Sequence, residues 1–299
     1  MAIHLKTDRD VEGLRRAAGV VGAVLAEVAQ RVEPGATTAA LDHVAEEIIR
    51  DAGGRPAFKG YRMGGDTPPF PGAICASLND VVVHGFPTDR PLEEGDLLAV
   101  DCGVELDGYF GDYAYTFPVG EVSEENRALL NATKQSLYEG IREAVAGRRI
   151  GDIGYAVQRF CEARGYGVVR DLVGHGIGRQ LHEEPQVPNT GRRGQGKRLK
   201  EGMALCIEPM INQGTERVTV DADGWTVRTA DGRPSAHYEH MVVVRRGAAE
   251  VLSSYDAVEA ALRARGAWVP GTEAPVSLPA DDSIPTRSAS GPAAIGAAL

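Results

Sequence analysis

Apolar residues recur at helical spacing along Asp8–Arg31, at Val11, Leu14, Ala18, Val21, Leu25 and Val28, predicting a first amphipathic helix. Thr37 and Thr38 are suited to cap a second helix, with Leu41, Val44, Ile48 and Ile49 on its inner face and Gly53-Gly54 ending it. Ser123 opens a third helix running to about Val145. A fourth follows Gly151-Asp152, carries Ile153, Val157 and Phe160 inward, and stops at Gly165. Between the helix pairs, β-prone apolar runs flank Asp107-Gly108, a two-residue hairpin signal. The second and fourth helices align at a fixed offset: Gly35 falls on Gly147, Leu41 on Ile153, Ile48 on Phe160 and Gly53 on Gly165. This faint duplication predicts two related halves around one central sheet. A short helix over Tyr255–Gly266 leads into a Pro-, Ala-, Ser- and Gly-rich stretch without periodicity. The folded unit expected is therefore residues 1–266, with 267–299 a disordered tail.

The 299-residue chain is 43% hydrophobic and 25% charged with a formal charge of −10, the profile of a globular protein and an unfavourable one for broad nucleic-acid binding. The N-terminus lacks an apolar signal segment, and no run approaches the ~18 apolar residues of a membrane helix. The four cysteines, Cys75, Cys102, Cys161 and Cys206, show no close pairing and suit a reducing compartment. The expectation is a cytoplasmic monomer that binds neither membrane nor DNA.

Candidate chemistry lies before residue 255. If Asp107-Gly108 is the turn, Leu106 pairs with Tyr109, Asp101 lies opposite Ala114, and Asp112 is its diagonal neighbour on the same face. Two carboxylates then point to one place from apolar strands, which requires protons, cations or basic partners unless that face meets solvent. The segment Gly174-His175-Gly176-Ile177-Gly178 lets backbone pass close while His175 and His182 project, seven residues apart. Its spacing is wrong for a dinucleotide loop, and His182-Glu183-Glu184-Pro185 is no H-E-x-x-H zinc motif. Glu208 and Glu239 sit in apolar strands where an unpaired acid is costly. Asp101, Asp112, His175, Glu208 and Glu239 form an oxygen-rich set better suited to two divalent metals of the Mn, Fe or Co type than to structural zinc.

On these residues the chain resembles the type I methionine aminopeptidases, α/β (α+β) enzymes of the creatinase-like pita-bread fold. In that fold two pseudo-symmetric halves surround an antiparallel-rich sheet, with helices outside. The family's spacings of eleven, seven and 31 residues match Asp101 to Asp112, His175 to His182 and Glu208 to Glu239. The resemblance covers about residues 7 to 252 and implies hydrolytic N-terminal methionine excision from nascent polypeptides with a small second residue. It implies two divalent ions per chain (Co, Mn, Fe, Zn or Ni). Asp112 and Glu239 correspond to the bridging pair, Asp101 to the first-metal ligand, and His175 and Glu208 to the second-metal ligands. Glu208 also corresponds to the residue that moves the proton of the attacking water, His182 to the oxyanion-stabilising histidine, and His84 to the histidine near the scissile amide. Tyr61, Phe70, Cys75, His84, Leu181, His182 and Trp225 fall where the family forms its substrate pocket. Two departures border that pocket: a longer stretch over residues 62–69, and Leu181 where an aromatic residue or Met is more usual. The alternatives are a proline-specific peptidase of the same fold and a catalytically inactive relative that serves as a binding protein. A basic run, Arg192, Arg193, Lys197, Arg198 and Lys200, is either a solvated loop or a contact for ribosomal RNA.

Overall fold

A computed structural model describes residues 3–62, 64 and 67–271. Five helices are present among them: α1 (Asp8–Arg31), α2 (Thr38–Asp51), α3 (Glu124–Glu143), α4 (Ile150–Glu162) and α5 (Asp256–Ala264). Their starts follow local capping chemistry. The Thr7 hydroxyl accepts from Asp10 N–H while the Asp10 carboxylate accepts from Thr7 N–H, a reciprocal box that satisfies two otherwise orphaned donors. Thr37 and Ser123 cap α2 and α3 through single hydroxyls. The fourth helix begins at Ile150 rather than after Gly151-Asp152, because Asp152 accepts from Arg149 N–H and so caps from inside.

The hairpin is formed by strands Leu97–Leu106 and Tyr109–Pro118, in the expected register, with Asp101 opposite Ala114 and Gly103 opposite Asp112. Asp107 and Gly108 both have positive φ (52° and 72°), as a turn matching the right-handed strand twist requires. Strand Ile74–Leu78 lies on the other edge of the Asp101 strand. Helix α1 packs on this sheet so closely that a Cβ on Gly111 would lie 2.5 Å from the backbone of Ala17. Only glycine permits that approach, one residue from Asp112.

The second half repeats the scheme. Strands Glu183–Pro188, Val173–Gly176, Ala204–Ile207, His240–Val243 and Glu250–Val251 form an antiparallel sheet covered by α3 and α4. The duplication is visible in the backbone: Gly35 and Gly147 have φ of 92° and 100°, and Gly53 and Gly165 have 76° and 82°. Among the described residues the hydrogen bonding of these antiparallel strands divides into four sheets. Interruptions of the pairing at Pro209 and at Tyr238–Glu239 separate two of them. Proline has no N–H for a ladder, and beyond it strands Met210–Asn212 and Ser235–His237 pair in a separate sheet. The carboxylates of Glu208 and Glu239 stand at these breaks.

One apolar core runs through both halves, from Leu14 and Val21 of α1 to Leu205, Val242 and Leu262. Packing continues past the expected boundary at residue 266. Val269 is buried, the Lys134 ammonium is held by Glu259 and the Pro270 carbonyl, and Gly271 N–H donates to Asn131. The expected tail from residue 272 onward lies outside the described residues. All four cysteines are free and buried. Among the described residues, no helix is long and apolar enough to cross a membrane.

Candidate metal centre and substrate pocket

Asp101, Asp112, His175, Glu208 and Glu239 are buried and converge. The Asp101 and Asp112 carboxyls hydrogen bond to each other, so without a cation one of them carries a proton. Burial pushes Asp101 up to about 7. Burial, followed by the charges of Glu239, Asp101 and Glu208, pushes Asp112 well above the carboxylate range. Glu208 and Glu239 are raised well above it by burial and by their acidic neighbours. The acids thus perturb one another. Asp101 Oδ1, Asp112 Oδ1, Glu208 Oε1 and Glu239 Oε1 are buried without a hydrogen-bond partner.

His175 completes the set. Its Nδ1 lies 3.0 Å from the Gly176 carbonyl, which can only accept, so Nδ1 carries the hydrogen and Nε2 the lone pair. That Nε2 is 3.6 Å from Asp112 Oδ2 and 3.7 Å from Glu208 Oε1. Burial lowers the ring's pKa well below the usual histidine value, keeping it neutral. Gly174 allows this strand to reach the site, since a Cβ there would lie 2.4 Å from the Cys206 carbonyl. Four carboxyl groups, each with one partnerless oxygen, and a neutral imidazole presenting its lone pair fit divalent cations.

Sequence reasoning missed several neighbours. Among the described residues, one ligand-type group consists of Asp112, His175, Glu239 and Cys206, whose donor atoms lie within 4.8 Å of one another. Asp101 joins it through Asp112, and Glu208 through His175. Cys206 is opposite Met241 in the sheet, and the Met241 sulfur accepts from Asp112 N–H at 3.1 Å. The Tyr255 hydroxyl lies 2.7 Å from the carbonyls of both Ala114 and Glu239 and accepts from Glu239 N–H, clasping the two acid-bearing segments together. His237 is buried beside Glu208, its Nε2 3.9 Å from Oε2, and burial holds its pKa down to about 3. The signal available for His237 was its place on the Glu239 face, two residues away in an extended segment.

Beside the acids lies an aromatic cluster. Phe58, Phe70, Cys75, Leu181 and Trp225 pack together, with Tyr61, Phe86 and Phe110 at the margin. All the apolar residues expected in the pocket are therefore brought to one place, and Phe58, Phe86 and Phe110 are additions. Trp225 stands edge-on to Phe70 at 5.3 Å and to His84 at 6.1 Å, and its indole N–H donates to the Pro68 carbonyl at 2.7 Å. The described part of the 62–69 stretch thus supports the pocket wall. His182 is linked to Tyr61 through Nδ1 and the phenol oxygen at 2.9 Å, and its ring stands 4.4 Å from that of His175. Burial lowers the pKa of His84 to about 4. An apolar cluster therefore meets two imidazoles and a carboxylate cluster.

The sequence model of metallopeptidase family M24 matches residues 12–246. The chain belongs to this family. Within it, the M24 chain is 47% identical over 252 residues to a methionine aminopeptidase of Clostridium acetobutylicum, covering 84% of this chain and 98% of the relative. It is 42% identical over 251 residues to methionine aminopeptidase 1 of Bacillus subtilis, covering 84% and 99%. Among solved structures, a methionine aminopeptidase from Thermotoga maritima superposes with a TM-score of 0.81 at 40% identity, covering 85% of this chain and 100% of that one. An X-Pro aminopeptidase from the same organism gives 0.65 at 19% identity over 62% of its own length, a likeness of fold alone. These similarities group the M24 chain with the methionine aminopeptidases rather than with the proline-specific peptidases.

Proposed function

We propose that this chain removes the N-terminal methionine from peptides and nascent polypeptides whose second residue is small. The observation that carries this reading is the convergence of four buried, partnerless carboxyl oxygens and a lone-pair imidazole beside an aromatic, sulfur-containing pocket. Asp101, Asp112, His175, Glu208 and Glu239 would hold two divalent ions, of Co, Mn, Fe, Zn or Ni type. Bound there, such ions supply an activated water and polarise a carbonyl oxygen.

The chain's own residues account for the rest. An unbranched thioether side chain adapts to the wall formed by Phe58, Phe70, Cys75, Leu181 and Trp225. Glu208, its pKa raised by burial, holds and passes on a proton between the attacking water and the leaving amine. His182, oriented by Tyr61, faces the developing oxyanion, and neutral His84 lies at the scissile amide.

The test is release of methionine from Met-Ala-Ser by metal-stripped protein before and after addition of Mn²⁺, Co²⁺ or Fe²⁺, with Ala-Pro-Ala as control. Metal-dependent release with an inert control is expected. Cleavage of the proline peptide alone would transfer the assignment to the proline-specific peptidases. No cleavage by folded, metal-loaded protein would favour a binding role.

A transient ribosome contact through Arg192, Arg193, Lys197, Arg198 and Lys200 is part of the proposal. All five side chains belong to exposed residues, although Lys197 already pairs with Glu184. Neutralising Arg192, Arg193, Arg198 and Lys200 should weaken ribosome co-sedimentation without altering peptide turnover. Unchanged co-sedimentation would remove the idea.

A further inference from the structure

We propose that His237 is a positioning residue for this reaction, holding Glu208 through Nε2. The inference rests on the reading of Glu208 as proton carrier. The backbone around His237 is fixed from across the fold: its N–H donates to the Thr116 hydroxyl oxygen at 3.0 Å, and that hydroxyl donates to its carbonyl at 2.6 Å. Pairing with Met210 sets its distance along the strand from Glu208. The side chain has little freedom, being 2% exposed, and Nε2 has no hydrogen-bond partner.

Glu208 stands between two imidazoles. On one side, Oε1 is 3.7 Å from His175 Nε2, which carries a lone pair and cannot donate. On the other, Oε2 is 3.9 Å from His237 Nε2. That gap exceeds a hydrogen bond by about half an ångström and is too narrow for a bridging water. A small rotation of the carboxylate closes it, and contacts of this kind commonly tighten once the site is occupied. His237 is therefore the group placed to supply an N–H to the outer oxygen of Glu208. That bond fixes which oxygen faces the reacting centre, and it relieves a buried nitrogen that would otherwise stay unpaired.

The experiment compares wild type, His237→Leu and His237→Gln as full-length protein reconstituted with Mn²⁺. Four quantities are measured: kcat and KM for Met-Ala-Ser, bound metal per chain, and thermal midpoint. Leucine fills the volume without a donor, and glutamine restores one. With leucine, kcat is expected to fall about tenfold or more while KM and metal content stay unchanged, and glutamine is expected to recover most of the loss. Should the leucine variant lose its thermal transition, His237→Ala replaces it in the same comparison. Unchanged kcat, a rise in KM alone, loss of metal, or failure of glutamine to rescue would each overturn the proposal. If the wild type releases no methionine, the functional reading fails and takes this inference with it.

Discussion

Removing metal should give this protein a pH-dependent instability of defined sign. Two groups of buried residues act in different windows. His84, His175, His237 and His240 have depressed pKa values and stay neutral in the fold, but take protons when unfolded. Their contribution makes stability rise with pH and fades through the ordinary histidine value of about 6.5. Asp101, Asp112, Glu208 and Glu239 have raised pKa values. They keep protons in the fold that the unfolded chain has released, so their contribution is lost as pH rises through the folded values. Asp101 loses its proton near pH 7, and burial with acidic neighbours raises the other three well above the ordinary carboxylate range. The histidine contribution is half spent at pH 6.5, and the four together still add about 1.6 kcal/mol between pH 6.5 and 8. Each carboxyl proton retained through that range subtracts about 1.4 kcal/mol per pH unit, so two retained protons give a net fall of about 2 to 2.5 kcal/mol. For a domain of this size that is a drop of roughly 4–8 °C in thermal midpoint. The upper limit of pH 8 avoids ionisation of the buried thiols on unfolding. The assay is thermal unfolding of chelator-treated and Mn²⁺-loaded protein across this range. Bound cations displace the protons, so the loaded protein should show a flat or opposite slope. Parallel curves, or a midpoint of the stripped protein that rises between pH 6.5 and 8, would refute the reasoning.

Asp112→Asn removes one of four crowded acids. It should abolish methionine release and lower metal content by elemental analysis, yet raise the thermal midpoint of the stripped protein at pH 8, because a buried carboxyl pushed up by its acidic neighbours is removed. Gly111→Ala drives a Cβ into the backbone of α1, which cannot yield as a flexible side chain would; a loss of about 1–3 kcal/mol in denaturant unfolding is expected. Trp225→Ala empties a fully buried site and should cost about 3–5 kcal/mol of stability while raising KM for methionine peptides. Truncation after Gly271 should leave the thermal midpoint unchanged. Ending the chain at Gly266 removes Val269 and one acceptor of the Lys134 ammonium, and should lower stability by about 1–3 kcal/mol.

What could be read from the chain was what short-range rules control. The hairpin register was legible because a two-residue turn with positive φ leaves one pairing, and that pairing aims Asp101 and Asp112 at a common point. Helix starts were legible from Thr37 and Ser123, whose hydroxyls act within three residues. The spacings of the acids and histidines carried the family resemblance, and with it the pocket residues.

Tertiary structure determined the surroundings of those residues. Met241 meets Asp112 from 129 positions away, and Thr116 holds His237 from 121 positions away, so no local pattern could announce either contact. Cys206 looked like any core cysteine until sheet pairing set it among Asp112, His175 and Glu239. The contacts of residues 267–271 were not legible for a related reason. Composition changes near Pro270, but burial of Val269 and the grip of Lys134 are settled by what α3 presents, not by the segment itself. Turns and caps are decided by a few neighbouring dihedral angles, whereas a buried contact exists only after distant segments have closed on each other. The chain alone therefore determined the spacing and facing of the candidate ligands, and the closed fold determined which protons, sulfurs and imidazoles surround them.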